Sequence, residues 1–267
     1  MVAKSLERSS MKKFILILLL ILLFAGALTV FLGFYNARQI RSYVQAAREI
    51  RSEYDLGSPI KEMEEKYKSL GGQDDLSFQE ESKKFADELK NISQKAESAK
   101  KEIVNLKTPR AGKVSKDLLA DYYSKVHQEA ENLNHLVQFM NQLFGVAVVF
   151  SKIEGESSLE GMKTLISEAK VKSREINPEN LPAELGDKGG ELKESMDGFL
   201  SVMEKIIDNP AEETTELDSA YEDFSKKQEE FFKASKNYLE SLEDFLPLKE
   251  KIEEELSMLE KIYFKVW

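Results

Sequence analysis

The chain has no cysteine among its 267 residues. This excludes disulfide bridges, thiolate nucleophiles, cysteine-ligated zinc and iron–sulfur clusters. Strand patterns are also scarce, because period-two alternation is confined to the short run 146–150. Apolar residues elsewhere recur at steps of three and four, which is typical of amphipathic helices. The expected fold class is therefore all-α.

Histidine is also scarce, with only His127 and His135. They lie eight residues apart on one predicted helix, more than two turns from each other, so they cannot bind one metal ion without further ligands. Neither has a glutamate three residues before it, so the Glu-x-x-His pattern of di-iron bundles is absent. Glu131 follows His127 by one turn and could form a weak metal pair, but a solvated surface pair is favoured.

Motifs for catalysis are missing as well. The glycines at 186, 189 and 190 lack the spacing of a phosphate-binding loop, and no Gly-x-Ser-x-Gly elbow occurs. Acidic pairs such as Glu229-Glu230 and the run 253–255 fall on predicted amphipathic helices, so they are expected to be solvated faces. The sequence therefore predicts no enzyme, no cofactor and no metal site.

The net charge of −10 comes from 48 acidic against 38 basic residues. A nucleic-acid partner would require a basic face, so none is expected.

The most distinctive stretch is the uncharged apolar run at 14–35. As a helix it would be roughly 33 Å long, enough to cross a hydrocarbon core of about 30 Å. We expect a single N-terminal transmembrane helix that acts as a signal anchor.

A cleaved signal peptide is the alternative, since Lys12-Lys13 and Ala25-Gly26-Ala27 resemble its basic and cleavage regions. The apolar run continues beyond that site, which favours retention. Met11 is an alternative start.

The orientation of this span depends on the basic residues that flank it. Four lie on each side, namely Lys4, Arg8, Lys12 and Lys13 before it and Arg38, Arg41, Arg48 and Arg51 after it. The first set is nearer the apolar boundary and is joined by the free amine, so we expect the N-terminus inside and the C-terminal domain outside.

The organisation expected from these patterns has four parts. They are a basic tail at 1–13, the transmembrane helix at 14–35, an amphipathic juxtamembrane stalk at 36–57, and a helical bundle domain at 58–267. Coiled-coil-like seams run from Phe85 to Leu106, from Leu119 to Phe144 and from Leu217 to Phe245. The last seam predicts burial of Phe224 and Leu242, with Glu230 on the wet face. A shift of 73 residues also aligns two helix hairpins, near 78–153 and 158–208, as a duplication.

Two sets of residues are interpreted as interaction sites. Ala25, Thr29 and Gly33 are four apart and would allow close packing of two membrane helices, and hence a homodimer. Phe144, Val146, Val149 and Phe150 belong to an apolar run without a polar face. A helix end buried on all sides is the favoured interpretation of that run, and a contact patch for a partner or the bilayer is the other.

Two functional hypotheses follow. The first is a membrane-anchored helical scaffold or adaptor that binds another envelope protein, with the lipid bilayer as its second partner. The alternative is an extracytoplasmic sensory or ligand-binding ectodomain. It would signal through a separate protein, because about 13 residues precede the span.

Overall fold

The computed structural model describes residues 2–56, 75–209, 215–242 and 245–264, with side chains at 24, 26–56, 80–153, 155–209, 215–242 and 245–261. Within these residues the regular elements are seven α-helices and two 3₁₀ turns, and no strand occurs. The predicted all-α class is confirmed, including the run 146–150, which lies inside a helix.

The described helices are 17 to 52 residues long. They are α1 (Val2–Glu53), α2 (Asp75–Asn105), α3 (Lys113–Gly155), α4 (Leu159–Glu175), α5 (Ala183–Asp208), α6 (Thr215–Glu240) and α7 (Leu246–Phe264), with 3₁₀ turns at Arg110–Gly112 and Pro178–Asn180. Helix α1 ends at Glu53, within the predicted stalk, and the last stalk residue, Gly57, lies outside the described residues.

The chain divides into two compact units. The first comprises the described residues of Met1–Glu53, Lys101–Asp121 and Leu248–Trp267, and the second those of Tyr54–Lys100 and Tyr122–Pro247.

In the first unit, α1 buries one face of its C-terminal half. Ile40, Tyr43, Val44, Ala47 and Ile50 follow the three–four spacing of an amphipathic helix and are all buried. The Tyr43 hydroxyl lies 2.9 Å from Ser115 Oγ, which in turn donates to the Gly112 carbonyl at 2.9 Å. The face predicted for the stalk therefore packs within this unit.

Ion pairs add to this packing. Arg48 donates to Glu253 at 2.7 Å and to Glu260 at 2.8 Å, and Arg51 also donates to Glu253. Burial opposes ionisation of the Glu253 carboxyl, but the hydrogen bonds from both arginines prevail and lower its pKa. The acids at 253–255 are expected to form a solvated face. Glu254 is exposed, whereas Glu253 is half-buried because cations of α1 lie opposite it.

The N-terminal half of α1 is exposed where its side chains are described. Phe24 is 74 % exposed and Phe31 67 %, and the other large apolar residues of this part are also exposed: Leu28, Val30, Leu32, Phe34 and Tyr35. The backbone of the predicted span and the buried face after it form one uninterrupted helix.

Among the described residues, one helical stretch is long and apolar enough to cross a membrane. It is Arg110–Ile153, and a third of its most apolar part is buried. This is weak evidence for a membrane protein, since the core helix of a soluble protein has the same properties. Within the predicted span at 14–35, the side chains of 14–23 and 25 lie outside the described residues. Topology stays a prediction.

In the second unit, the predicted seam of α2 is confirmed as a buried face. Phe85, Leu89, Ile92, Ala96 and Ala99 are all buried. The middle of α3 is equally covered, with Tyr123, Val126, Ala130, Leu133 and Val137 buried. Burial of alternating small and large residues at this spacing is what brings long helices into a bundle.

The seam predicted for α6 is only half correct. Its C-terminal part is buried at Phe231, Ser235 and Tyr238, whereas Phe224 is half-buried and Tyr221 is 57 % exposed. Leu242, predicted to be buried, is half-buried as well. The spacing correctly identified the apolar face, but other helices cover that face along only part of its length.

The two predicted hairpins correspond to α2–α3 and α4–α5. The aligned prolines Pro109 and Pro182 both have extended backbone immediately before a helical turn, with ψ of 157° and 145°. Descent from one duplicated unit stays a prediction.

We predict that Gly112→Ala destabilises the protein. A Cβ at Gly112 would lie 2.8 Å from Tyr43 Cε1 and 3.3 Å from Thr108 Cγ2, so the ring must shift. The expected loss is about 1–3 kcal/mol, read from urea midpoints of the full chain. Gly198 is the matched control, because nothing lies within 4 Å of its Cβ position in α5. Gly198→Ala should stabilise by about 0.5–1 kcal/mol. Equal effects of the two changes would contradict the packing described for Tyr43.

Candidate functional site

A cavity of about 300 Å³ lies in the second unit, between three helices. It is lined by one stripe of α3, two residues of α5 and three of α6: Met140, Leu143, Phe144, Val146, Ala147, Phe150, Ser151, Leu192, Met196, Phe224, Gln228 and Phe232. We call this set the apolar pocket. None of its lining residues is charged, and Ser151 and Gln228 are its only polar ones.

The α3 stripe follows from helical spacing. Met140, Leu143, Phe144, Ala147 and Phe150 are three or four residues apart, so they project from one face of α3. Most of them are half-buried and Ala147 is exposed, although the same face is fully covered one turn earlier at Leu136 and Val137. The pocket therefore lies where the bundle stops covering this face.

Aromatic rings form one side of this region. Phe199 of α5 stacks on Phe224 of α6 with ring centroids 5.9 Å apart and planes 2° from parallel. Phe150 of α3 lies 5.7 Å from Phe199 and 6.4 Å from Phe224, and Tyr221 lies 5.7 Å from Phe199. Offset ring pairs at these distances contribute beyond their buried area, so the cluster holds the three helices at fixed separations.

The predicted patch on α3 divides between core and pocket. Phe144, Val146 and Phe150 line the pocket, with Phe144 and Phe150 half-buried. Val149 is fully buried and is not a lining residue. The favoured expectation of a helix end buried on all sides is therefore wrong for this run, because α5 and α6 leave part of the α3 surface uncovered.

The predicted membrane-helix stripe stays a prediction. Thr29 is exposed and its hydroxyl donates to the Gly26 carbonyl of its own helix at 2.8 Å, while Gly33 is half-buried. The side chain of Ala25 lies outside the described residues.

A serine missed by sequence reasoning joins the histidine–glutamate pair. Ser93 of α2 is buried, and its Oγ lies 2.9 Å from His127 Nδ1 and 2.8 Å from Glu131 Oε1. Glu131 is exposed and His127 is half-buried, so the pair lies at the surface as expected, and the buried Ser93 hydroxyl is an additional partner. A catalytic triad places histidine between the serine and the carboxylate. Here the serine lies between the other two, so its proton goes to Glu131, and the grouping connects α2 to α3.

His135 is half-buried elsewhere on α3. Within the described part of the chain, no group of three or more histidine, aspartate and glutamate side chains is positioned to hold a metal ion.

A second polar cluster connects α5 to α6. Lys188 donates to Glu191 at 3.0 Å and to Glu230 at 2.9 Å, and Lys227 donates to Glu191 at 2.9 Å. Hydrogen bonds from Lys227 and Lys188 lower the pKa of Glu191, and that from Lys188 lowers the pKa of Glu230. The wet face predicted for Glu230 is only partly exposed, because Lys188 of α5 lies against this carboxylate and leaves it half-buried. Exposed pairs of this kind contribute little stability individually.

Comparison of the chain with protein-family models, with curated proteins and with solved structures gives no match.

We predict that two phenylalanines seven residues apart on α6 differ in their contribution to stability. Phe231 is fully buried and lies 5.0 Å from the Phe139 ring, so Phe231→Ala should cost about 3–5 kcal/mol. Phe224 is half-buried, so Phe224→Ala should cost about 1–2 kcal/mol, in proportion to the smaller area removed from water. Urea midpoints of the full chain measure both. If Phe224→Ala lost as much stability as Phe231→Ala, the pocket wall at Phe224 would be part of the closed core.

Proposed function

We propose that the protein is a membrane-anchored helical scaffold or adaptor that binds another envelope protein. The observation that carries the proposal is the exposed apolar surface of α1 between Phe24 and Tyr35. An exposed apolar surface of this kind is unfavourable in water and favourable in a bilayer. The same helix continues into the packed face that begins at Ile40. An anchor would therefore be joined to the folded unit by continuous helix.

The partner-binding part of the proposal is supported by two exposed aromatic side chains of α6. Tyr221 is 57 % exposed and Phe232 is 43 % exposed. Aromatic side chains of this kind are enriched at protein interfaces. A homodimer through the Ala25, Thr29 and Gly33 stripe is a further part of the proposal.

A ligand-binding or sensory ectodomain is the second candidate function. The apolar pocket favours it, because a volume of about 300 Å³ lies at the lower end of the range for small-molecule sites, roughly 300–1,000 Å³.

We expect full-length protein to remain in the membrane pellet after extraction with alkaline carbonate. Replacing Phe24 and Leu28 together by arginine should release a large fraction, because each charge near the centre of a span costs about 2.5–3.5 kcal/mol. The matched control introduces the same two arginines at Asn36 and Gln39, which are exposed on the same helix beyond the predicted span. That control should stay in the pellet. Release of the unmodified protein would contradict the anchor.

The orientation can be measured with single cysteines, since the chain has none of its own. Ser225 is exposed on α6, so Ser225→Cys should react with an impermeant maleimide on intact spheroplasts. Ser5→Cys, on the other side of the predicted span, should react only after lysis. The reverse pattern would place the helical units inside the cell.

A further inference from the structure

We propose that the apolar pocket binds a small neutral molecule with a hydrocarbon body and one hydrogen-bonding group, such as a medium-chain alcohol. The inference deepens the second candidate function, since it names the class of ligand that a binding ectodomain would take. It does not depend on the membrane anchor.

The size of the pocket is the first argument. Its volume of about 300 Å³ is about twice the roughly 150 Å³ of an engineered apolar cavity that stays dry and binds benzene. An α-helix is about 10–12 Å wide with its side chains, so a cavity of this volume cannot enclose a partner helix. A single small molecule, or one ring or chain of a larger one, is the occupant that matches.

The chemistry of the lining gives the ligand class. Ten of the twelve lining residues are apolar or aromatic, and none of the twelve is charged. Burying a carboxylate or an ammonium group without an opposite charge is strongly unfavourable, so a neutral ligand is selected. Met140 and Met196 are flexible and polarisable, and they can adapt to chains or rings of different shape.

The two polar lining residues supply one anchoring point each. Ser151 and Gln228 are both exposed, on α3 and α6 respectively. The Ser151 hydroxyl donates to the Val148 carbonyl at 2.9 Å, so its oxygen retains lone pairs for accepting a hydrogen bond. The Gln228 amide can both donate and accept. A hydroxyl group of the ligand could therefore bond to either, while its hydrocarbon part fills the apolar interior.

Incomplete burial of two aromatic residues supports the proposal that the pocket binds a ligand. Phe224 and Phe150 are half-buried although they belong to the same faces as fully buried residues of α6 and α3. A hydrocarbon body in the pocket would remove these rings from water, which contributes about 25 cal/mol for each Å² of apolar surface buried. Binding would thereby extend the core of the second unit toward its uncovered end.

The test uses cysteine protection in the full-length chain held in its membrane. Ala147 lines the pocket and is exposed, so Ala147→Cys should react with a maleimide, and n-decanol should slow that reaction about fivefold or more when the pocket is occupied. Ala183→Cys is the matched control, exposed at the start of α5 and outside the lining. Its reaction rate should not change.

Two further arms test the ligand class. Decanoate, which has the same chain with a negative charge, should protect the Ala147→Cys variant less than decanol does. Adding Ser151→Ala and Gln228→Leu together to that variant should weaken protection by decanol about two- to tenfold, the usual effect of losing one hydrogen bond. Because both residues are exposed, these changes should not disturb folding.

Three outcomes would overturn the proposal. They are an unchanged reaction rate of the Ala147→Cys variant with decanol, equal slowing of the Ala183→Cys control, and protection by decanoate as strong as that by decanol. None of these would alter the carbonate extraction result, so failure of the pocket and failure of the anchor can be told apart.

Discussion

Burial of the middle of α3 is the interaction on which the second unit depends. Tyr123, Val126, Ala130, Leu133 and Leu136 are completely buried along about four turns. Each large apolar side chain removed from water in this way contributes about 1.5–3 kcal/mol. Contacts from α3 then position its neighbours, since Ser82 of α2 donates to Asn141 and Phe139 packs against Phe231 of α6. Helices that lack enough apolar surface to fold alone are stabilised by this shared core.

The polar groups of the second unit act on geometry more than on stability. Ser93, His127 and Glu131 join α2 to α3 at hydrogen-bond distances, and Lys188 joins α5 to α6 through Glu230. A hydrogen bond of this kind contributes only about 0.5–1.5 kcal/mol net, but it has a preferred direction. Apolar faces alone allow helices to slide by one turn, whereas these bonds are made in one register. The polar clusters therefore specify which turns of neighbouring helices lie side by side.

Sequence periodicity correctly predicted which face of each helix is apolar. It did not predict how much of that face other helices cover. The seam of α2, predicted from Phe85 to Leu106, is buried from Phe85 to Ile103 and half-buried at Leu106. The same reasoning predicted burial of Phe224, which is half-buried, and exposure of Glu230, which contacts Lys188. Periodicity is a local property of one helix, whereas burial depends on where other helices end. The predicted patch at Phe144, Val146 and Phe150 was found in part, but the pocket also requires Met196 and Phe224 from distant helices. No spacing within one segment could have revealed that combination.

The end of the second unit around the apolar pocket has an unexpected set of side chains for a surface in contact with water. A solvent-exposed helix end normally carries charged and polar residues, yet Phe150, Phe199, Tyr221 and Phe224 come together here from three helices. Their mutual contacts recover part of the apolar area, and the remainder stays in contact with water at a cost proportional to that area. Substitution by polar residues would remove this cost without affecting the buried seam one or two turns away. An apolar molecule in the pocket would remove the same cost by covering these rings, which is the physical basis of the binding proposed for this site.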